Sequence, residues 1–450
     1  MSAPEHDYEF RTFPAAAPDG KADDQTRGWL EADSLGFHEP RQTAAALDRW
    51  ATSQAADGQQ LTGVYTAHAQ TAGLHPDLPV ATFASFERTI NVGGDEPLPA
   101  HLISSVTVRP THRRRGILRR MMTADLEKAH ADGYALAALT ATEATIYRRF
   151  GFGVATSVHA VAVTTDYRFA LAAEPAGHCE LIDPKELVTV GPAVFEGFHR
   201  AHPGSVDRHD QLWTTVSGIV GENGDEDRKV RAAAHYDESG AIDGYVSYRF
   251  GGWAAKPWTL EVVDLVAQND DAYLGLWEFL ASVDLAERVT YEAAPVDDPL
   301  RWALTDWRVV KVTSVDDWLW LRVLDVVRAF EARGYVNDGE VVFGVTDALG
   351  YAEGRYRLRV TDGRATVTRE DSGSGAGASS APGGVSGGVS GGTSVDVELD
   401  VWALSTLYLG AVDPSVLKSA GQLVERTPGA VARLRSLLQP VAPVYGITHF

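Results

Sequence analysis

Val106-Thr-Val-Arg-Pro-Thr-His-Arg-Arg-Arg-Gly-Ile-Leu118 joins an extended apolar run to a basic, glycine-containing turn that opens a helix. Ile103 to Val108 alternates with small polar residues and reads as a strand, which Pro110 ends. From about Arg114 to His130 the positions Ile117, Leu118, Met121, Met122, Leu126 and Ala129 recur at helical spacing, and Gly133 supplies a stop. N–H groups of a first helical turn lack partners within the helix, and the helix dipole is positive there, so a diphosphate is stabilised. Gly116 lets the backbone approach closely, and the arginines add charge-assisted hydrogen bonds.

Tyr134 to Thr140 then reads as a second buried strand, and Glu143 to Phe150 as a short helix carrying Tyr147. Arg113 and Gly116 fill the first two places of the (Gln/Arg)-x-x-Gly-x-(Gly/Ala) loop of the GNAT acetyltransferases; the third holds the bulky Leu118. This resemblance implies that the two strands splay and that acetyl-CoA lies between them. Backbone groups of Val106 and Val108 would then pair with the pantetheine amides, and the Val108 N–H would polarise the thioester carbonyl. Tyr147 would protonate the departing thiolate. The alternative for a single tyrosine in Tyr-Arg-Arg-Phe-Gly-Phe152 is packing of its ring.

Longer matches narrow the resemblance. Val108-Arg-Pro-Thr-His-Arg-Arg-Arg-Gly-Ile-Leu-Arg119, Thr142-Glu143, Ile146-Tyr147 and Arg149-Phe-Gly-Phe-Gly153 resemble the Eis ("enhanced intracellular survival") N-acetyltransferases of actinobacteria. So do Asp298-Pro-Leu300, Leu304-Thr-Asp306, Leu319-Trp-Leu-Arg322, Phe330-Glu-Ala-Arg-Gly-Tyr335, Leu407-Tyr-Leu-Gly-Ala411 and the final Phe450. The resemblance implies an α/β and α+β chain: two tandem GNAT-like domains, the second degenerate, then a domain like sterol carrier proteins. It also implies a homo-hexamer, acetyl-CoA as co-substrate, and a terminal Phe450 carboxylate that accepts the proton of the attacking amine while Tyr147 acts as acid. A terminal carboxylate has an ordinary pKa of about 3.3–3.7 and gains basicity only when partly desolvated.

Carried over residue by residue, the donor side comprises Val106, Val108, Arg113, Arg114, Gly116, Ile117, Leu118, Arg119 and Thr142. The acceptor side departs from the family. Phe37, Glu39 and His449 are its candidates; the penultimate residue is His449 instead of an acid, and residues 34–39 offer only Glu39 nearby. A neutral histidine holds a polycation less well than a carboxylate, which points to smaller or less charged amines.

Composition sets further bounds. The 450 residues predict two to four domains. Lys+Arg 40 against Asp+Glu 61 gives a net charge of −21, which repels a nucleic acid and leaves the arginine cluster a local island. Cys179 stands alone, no Cys/His spacing suggests a metal, and neither a signal peptide nor a membrane-length apolar run is evident, so a cytoplasmic protein is expected.

The expected divisions are 1–165 for the catalytic domain (1–30 poorly ordered), 166–312 for the degenerate copy and 313–450 for the last domain. In the middle third, Gly244–Phe250, Thr259–Val266, Asp271–Glu287 and Val289–Ala293 repeat the strand–strand–helix–strand order. Where the first copy has three arginines and a glycine, the second has Ala267-Gln-Asn-Asp-Asp271, whose acids would repel a pyrophosphate. Residues 371–394, dominated by Gly and Ser, read as a flexible loop between two strands. Two other functions compete with acetyl transfer to aminoglycoside-like, polyamine or lysine amines: acylation from a longer acyl-CoA, and lipid binding by the last domain.

Overall fold

The structure, a computed structural model, describes residues 8–67, 73–221, 225–254, 256–370 and 394–450. Strand β1 (Tyr8–Pro14) pairs antiparallel with β2 (Gln60–Thr66). Residues 8–30, expected to lack order, are therefore built in. Arg120 lies over the Phe10 ring at 4.0 Å, the Arg115 guanidinium donates to the Tyr8 hydroxyl at 3.1 Å, and Trp29 and Leu30 are buried. Helix α1 (Asp24–Gly36) starts at Asp23, whose carboxylate accepts from the Thr26 N–H at 2.7 Å, and α2 (Ala44–Ala56) starts at a Thr43 cap.

Strands β3 (Ala81–Ile90) and β4 (Leu98–Val108) continue the sheet antiparallel. Helix α3 (Ile117–Ala131) crosses over to β5 (Leu136–Thr140), which runs parallel to β4; α4 (Ala144–Tyr147) and β6 (Gly153–Val154) follow. The helix begins three residues later than Arg114, because Arg114 and Gly116 adopt left-handed φ values of 62° and 76°.

The chain then builds a second sheet from β7 (Ser157–Thr164), β8 (His178–Ile182), β9 (Arg231–Tyr236), β10 (Ile242–Phe250), β11 (Thr259–Ala267), β12 (Arg288–Ala294) and β13 (Val310–Asp317). Its order is β13-β7-β12-β11-β10-β9-β8. Helices α5 (Leu187–Ala201), α6 (Asp210–Val216), α7 (Asp270–Ser282) and α8 (Leu300–Ala303) connect these strands. Immediately after Trp318, β14 (Leu319–Val323) returns to the first sheet and inserts between β5 and β6. The sheets thus do not follow the divisions at 165/166 and 312/313: β7 joins the second sheet from the first segment, and β14 joins the first from the last.

All five residues of β14 are buried, each large apolar side chain contributing roughly 1.5–3 kcal/mol. Its Arg322 is fully buried, donating from Nε to the Phe150 carbonyl at 2.8 Å and from Nη2 to both Asp347 carboxylate oxygens at 2.8 and 2.7 Å.

The last unit holds α9 (Val326–Ala332), β15 (Gly339–Thr346), β16 (Gly354–Thr361), β17 (Arg364–Arg369), β18 (Val397–Asp400), α10 (Val401–Leu407), α11 (Pro414–Ser419), β19 (Leu423–Glu425) and α12 (Ala430–Leu437). Its sheet runs β17-β16-β15-β18-β19. Trp318 to Trp320, inside the expected 313–450 division, belong instead to the return strand and its entry. The Gly/Ser stretch is flanked by β17 and β18, and its residues 371–393 lie outside the described residues. Alternation along β5 covers both faces of the first sheet. Ala137 and Leu139 share a core with Ile117, Met121 and Leu126 of α3, while Leu136 and Ala138 share one with Phe330, Phe343 and Tyr408 of the last unit.

Candidate active site

The site is made where β4 leaves β5. Thr82 faces Thr107 while Ala84 faces Ser104, so β4 carries one extra residue, with Ser105 at φ 53°. Such a bulge bends the strand that carries it. Parallel pairing with β5 extends only from His101↔Ala137 to Ile103↔Leu139, and Ser104 to Val108 run on beyond it. Backbone groups on that edge are left for a ligand.

On one side of the parting lies a groove of about 940 Å³ lined by Val108, Arg113, Arg114, Gly116, Ile117, Leu118 and Arg119. Helix α3 has no side-chain cap; its N-cap is Gly116, in front of which a Cβ would meet nothing within 4 Å. Arg115 turns away, donating to the Thr111 carbonyl at 3.1 Å. Arg113 stands 3.7 Å from Glu143, an exposed pair of little strength, so its charge remains available to the groove. Open N–H groups, four lining arginines (Arg149 the fourth) and free space fit a diphosphate-bearing ligand such as a CoA thioester. The equivalent helix of the second copy is closed. Asn269 caps α7 by accepting from the Ala272 N–H at 2.9 Å, and Asp270 and Asp271 occupy its first turn. Among the described residues no group of three or more His, Cys, Asp or Glu could hold a metal ion.

On the other side lies a cavity of about 370 Å³ that gathers Val106, Thr142, Tyr147, Phe37, Glu39, His449 and Phe450. The donor residues predicted as one set are thus divided, Val106 and Thr142 facing this cavity and the others the groove. Tyr147 is buried at the end of α4, its ring edge-on to Phe152 at 6.2 Å, and its hydroxyl has no protein partner among the described residues. Burial first, then the Glu143 charge, push its phenol up to about 12, so it remains protonated at neutral pH. Phe450 is held at the end of β5. The Thr140 hydroxyl donates to its main-chain oxygen, and its N–H donates to Thr140 Oγ1 at 3.4 Å. The Phe450 ring stands edge-on to Phe86 at 5.9 Å. His449 opens to solvent and lies 5.3 Å from the Trp318 ring; the surrounding protein lowers its pKa.

Among the wall residues that were not anticipated are Asp33, Gln54 and His209. Asp33, on α1, lies 3.3 Å from the Thr82 hydroxyl and 3.4 Å from that of Ser105. Desolvation, then the Glu39 charge, push its carboxyl up to about 7, against the opposing effect of those hydroxyls. Asp33 lies one residue before the 34–39 stretch that offered only Glu39. The signal was an acid set among Trp29, Leu30 and Phe37 at helical spacing, on a face otherwise apolar. His209 and Gln54 are buried, and His209 Nδ1 and Gln54 Oε1 have no partner among the described residues. Burial, then Arg88 and Arg208, hold His209 down to about 3.

A bulged strand that parts from its parallel neighbour beside an uncapped, arginine-flanked helix start defines an acyl-CoA-dependent transferase of the GNAT class. Residues 21–155 and 204–328 each match an acetyltransferase (GNAT) domain, and residues 326–446 match a sterol carrier protein domain. The chain is 33% identical over 430 residues to an N-acetyltransferase of Streptomyces avermitilis, covering 93% of this chain and 94% of that one. It is 35% identical over 372 residues to N-acetyltransferase Eis of Mycobacterium tuberculosis, covering 80% and 83%. The crystal structure of Eis1 from Mycobacterium abscessus superposes with a TM-score of 0.75 at 26% identity, covering 99% of this chain and all of that one. The chain belongs to the Eis family of N-acetyltransferases.

Proposed function

We propose that the enzyme moves an acetyl group from acetyl-CoA, bound along the arginine groove, to a primary amine entering the Asp33–His449 cavity. The observation that carries this reading is the meeting of Tyr147 and Phe450 in one cavity at the parting of β4 and β5, with Thr140 holding Phe450. The amine nitrogen forms the new bond to the acetyl carbon as the carbon–sulfur bond breaks. The Phe450 carboxylate accepts the proton that nitrogen loses. Tyr147 donates a hydrogen bond to the departing sulfur. Tyrosinate is the stronger base, so the phenol steadies the thiolate first, and a proton reaches sulfur through it as solvent resupplies the ring.

Asp33 and Glu39 change the expectation for the acceptor. Two carboxylates in the wall, one of them desolvated, favour an acceptor that carries cationic groups besides its neutral reacting amine, with hydroxyl groups for Gln54 and His209. Aminoglycoside-like and polyamine acceptors suit that wall better than the weakly charged amines inferred from His449 alone. The last unit's apolar face is buried against the first sheet, which favours interdomain packing over lipid carriage. Assembly as a cytoplasmic homo-hexamer completes the reading, and light scattering of the purified protein tests the subunit number. No helix among the described residues is long and apolar enough to cross a membrane.

The test mixes untagged protein with acetyl-CoA and a panel of aminoglycosides, polyamines and lysine peptides, and follows free thiol. Turnover that disappears when the chain is extended past Phe450 supports the mechanism. Full activity in the extended protein removes the terminal base, and silence across the panel without CoA binding removes the transferase reading of this cavity.

A further inference from the structure

The second copy retains the geometry of a splayed cleft. Thr82/Thr107 and Ala84/Ser104 have their counterpart in Ser247/Asp264 and Tyr248/Val262, a one-residue bulge on β11. Parallel pairing of β11 with β12 ends at Glu261↔Thr290, yet β11 runs on to Ala267 and β12 to Ala294. Beside the capped helix α7, this cleft holds a side chain from the far end of the protein. Tyr445 is buried in the second core, with its ring edge-on to Phe198 at 5.6 Å. Its hydroxyl donates to the Ala293 carbonyl at 2.6 Å, beyond the end of the β11–β12 pairing, and lies 3.2 Å from the Tyr291 hydroxyl.

From Tyr445 onward each residue is fixed. The Tyr445 N–H donates to the Pro203 carbonyl at 2.8 Å. A Cβ on Gly446 would stand 2.4 Å from the Gly204 carbonyl oxygen, so only glycine allows the two backbones this close. Ile447 is buried in the same core. The Thr448 hydroxyl donates to the Val206 carbonyl at 2.6 Å, and its own carbonyl accepts from the Trp318 indole at 3.2 Å. His449 and Phe450 then emerge into the acceptor cavity. The five residues after Tyr445, which span at most roughly 17 Å, connect the plugged cleft to the working one.

The opposite wall of that cavity is tied to the same strand. Asp264, at the bulge of β11, accepts from both Nη atoms of the buried Arg208 at 2.7 Å, and the next residue is His209.

We propose that the degenerate copy has become a socket: its splayed strands hold Tyr445, and through it set the position of the Phe450 carboxylate in the first copy. Tyr445 is thus a positioning residue that never touches substrate. This rests on the reading of Phe450 as the proton acceptor.

The test compares the wild type with Tyr445→Phe, Tyr445→Ala and a chain lacking Phe450. It measures kcat, the KM for acetyl-CoA, and the rate at which carboxypeptidase A frees the terminal phenylalanine. Tyr445→Ala is expected to lose about 10²-fold in kcat, the scale of an ångström-sized misplacement, with the acetyl-CoA KM within about twofold of wild type. Tyr445→Phe keeps the plug and loses both buried hydrogen bonds of its hydroxyl. It recovers to within about tenfold of wild type, and phenylalanine release accelerates in the same order, wild type slowest.

Wild-type kcat in Tyr445→Ala, with the chain lacking Phe450 inactive, overturns the socket and leaves the terminal base standing. Wild-type kcat in both removes the base and the socket together. An equal loss of acetyl-CoA affinity marks general damage and also overturns the proposal. If Tyr445→Ala does not fold, Tyr445→Phe decides alone: unchanged kcat with unchanged phenylalanine release overturns the proposal.

Discussion

Thr140 and Phe450, 310 positions apart, share two hydrogen bonds: the hydroxyl donates to the main-chain oxygen of Phe450 and accepts from its N–H. Thr140 is the last residue of β5, at the mouth of the cleft, so the strand that parts from β4 also grips the end of the chain. Thr140→Val keeps the shape and removes both bonds. Turnover is expected to fall about 10- to 100-fold with acetyl-CoA KM unchanged. Steady-state kinetics with a saturating amine measures this, and an unaltered kcat would separate the anchor from catalysis.

Tyr147→Phe removes only a hydroxyl. The expected loss in kcat is about 10²- to 10⁴-fold, with acetyl-CoA affinity by calorimetry near wild type. Because the phenol is raised to about 12, the wild-type rate should show no basic limb from Tyr147 at pH 7–9. A variant with normal turnover would leave the ring as packing alone.

Asp33 sets a pH dependence whose sign follows from its raised pKa. An ordinary aspartate titrates near about 3.9, whereas this one is raised to about 7. Between those values the folded protein binds more protons than the unfolded chain, so its stability falls as pH rises from about 4 to 7 and levels off above. Asp33→Asn should therefore melt higher than wild type at pH 8 and close to it at pH 4. Catalysis responds in the opposite sense. The charged carboxylate appears as pH passes 7, so the amine KM of the wild type should drop across that point while that of Asp33→Asn stays flat. Parallel KM profiles would exclude Asp33 from amine recognition.

Asp347→Ala tests the joint between the return strand and the last unit. It leaves the Arg322 guanidinium, fully buried, without its carboxylate partner. Breaking such a pair from one side costs about 3–5 kcal/mol, measurable as a lowered urea midpoint. Since Arg322 also holds the Phe150 carbonyl, close to Tyr147 in the chain, activity should decline below the unfolding range.

The strand–turn–helix beside the arginine groove and the short helix bearing Tyr147 were legible because each is local. A strand, a glycine turn and a helix between Ile103 and Ala131 carry their own periodicity, as does the Tyr147 helix two elements later. The degenerate repeat was legible for the same reason. The exchange of β7 and β14 was not: Leu319–Val323 reads as any apolar strand, and nothing in its composition states that its partner is Leu136–Thr140. The acceptor wall resisted for a related reason. It is assembled from α1, α2, the start of α6 and the chain end; Phe37, Glu39 and His449 were candidates, while of Asp33, Gln54 and His209 only Asp33 left a trace, as an acid inside an apolar stripe. His209 gains its meaning from Arg88 and Arg208, which the fold brings beside it.

The return of β14 also imposes a schedule on synthesis. β5 must pair with a strand made 179 positions later, Thr140 with Leu319. At about 5–20 residues per second, roughly 10–35 s pass on the ribosome during which the β5 edge that will receive β14 lacks that partner. Unpaired apolar edges recruit other chains, so the nascent protein is most exposed to aggregation in that interval. Slowing elongation between residues 140 and 319 should lower soluble yield, and a chaperone that covers sheet edges should restore it.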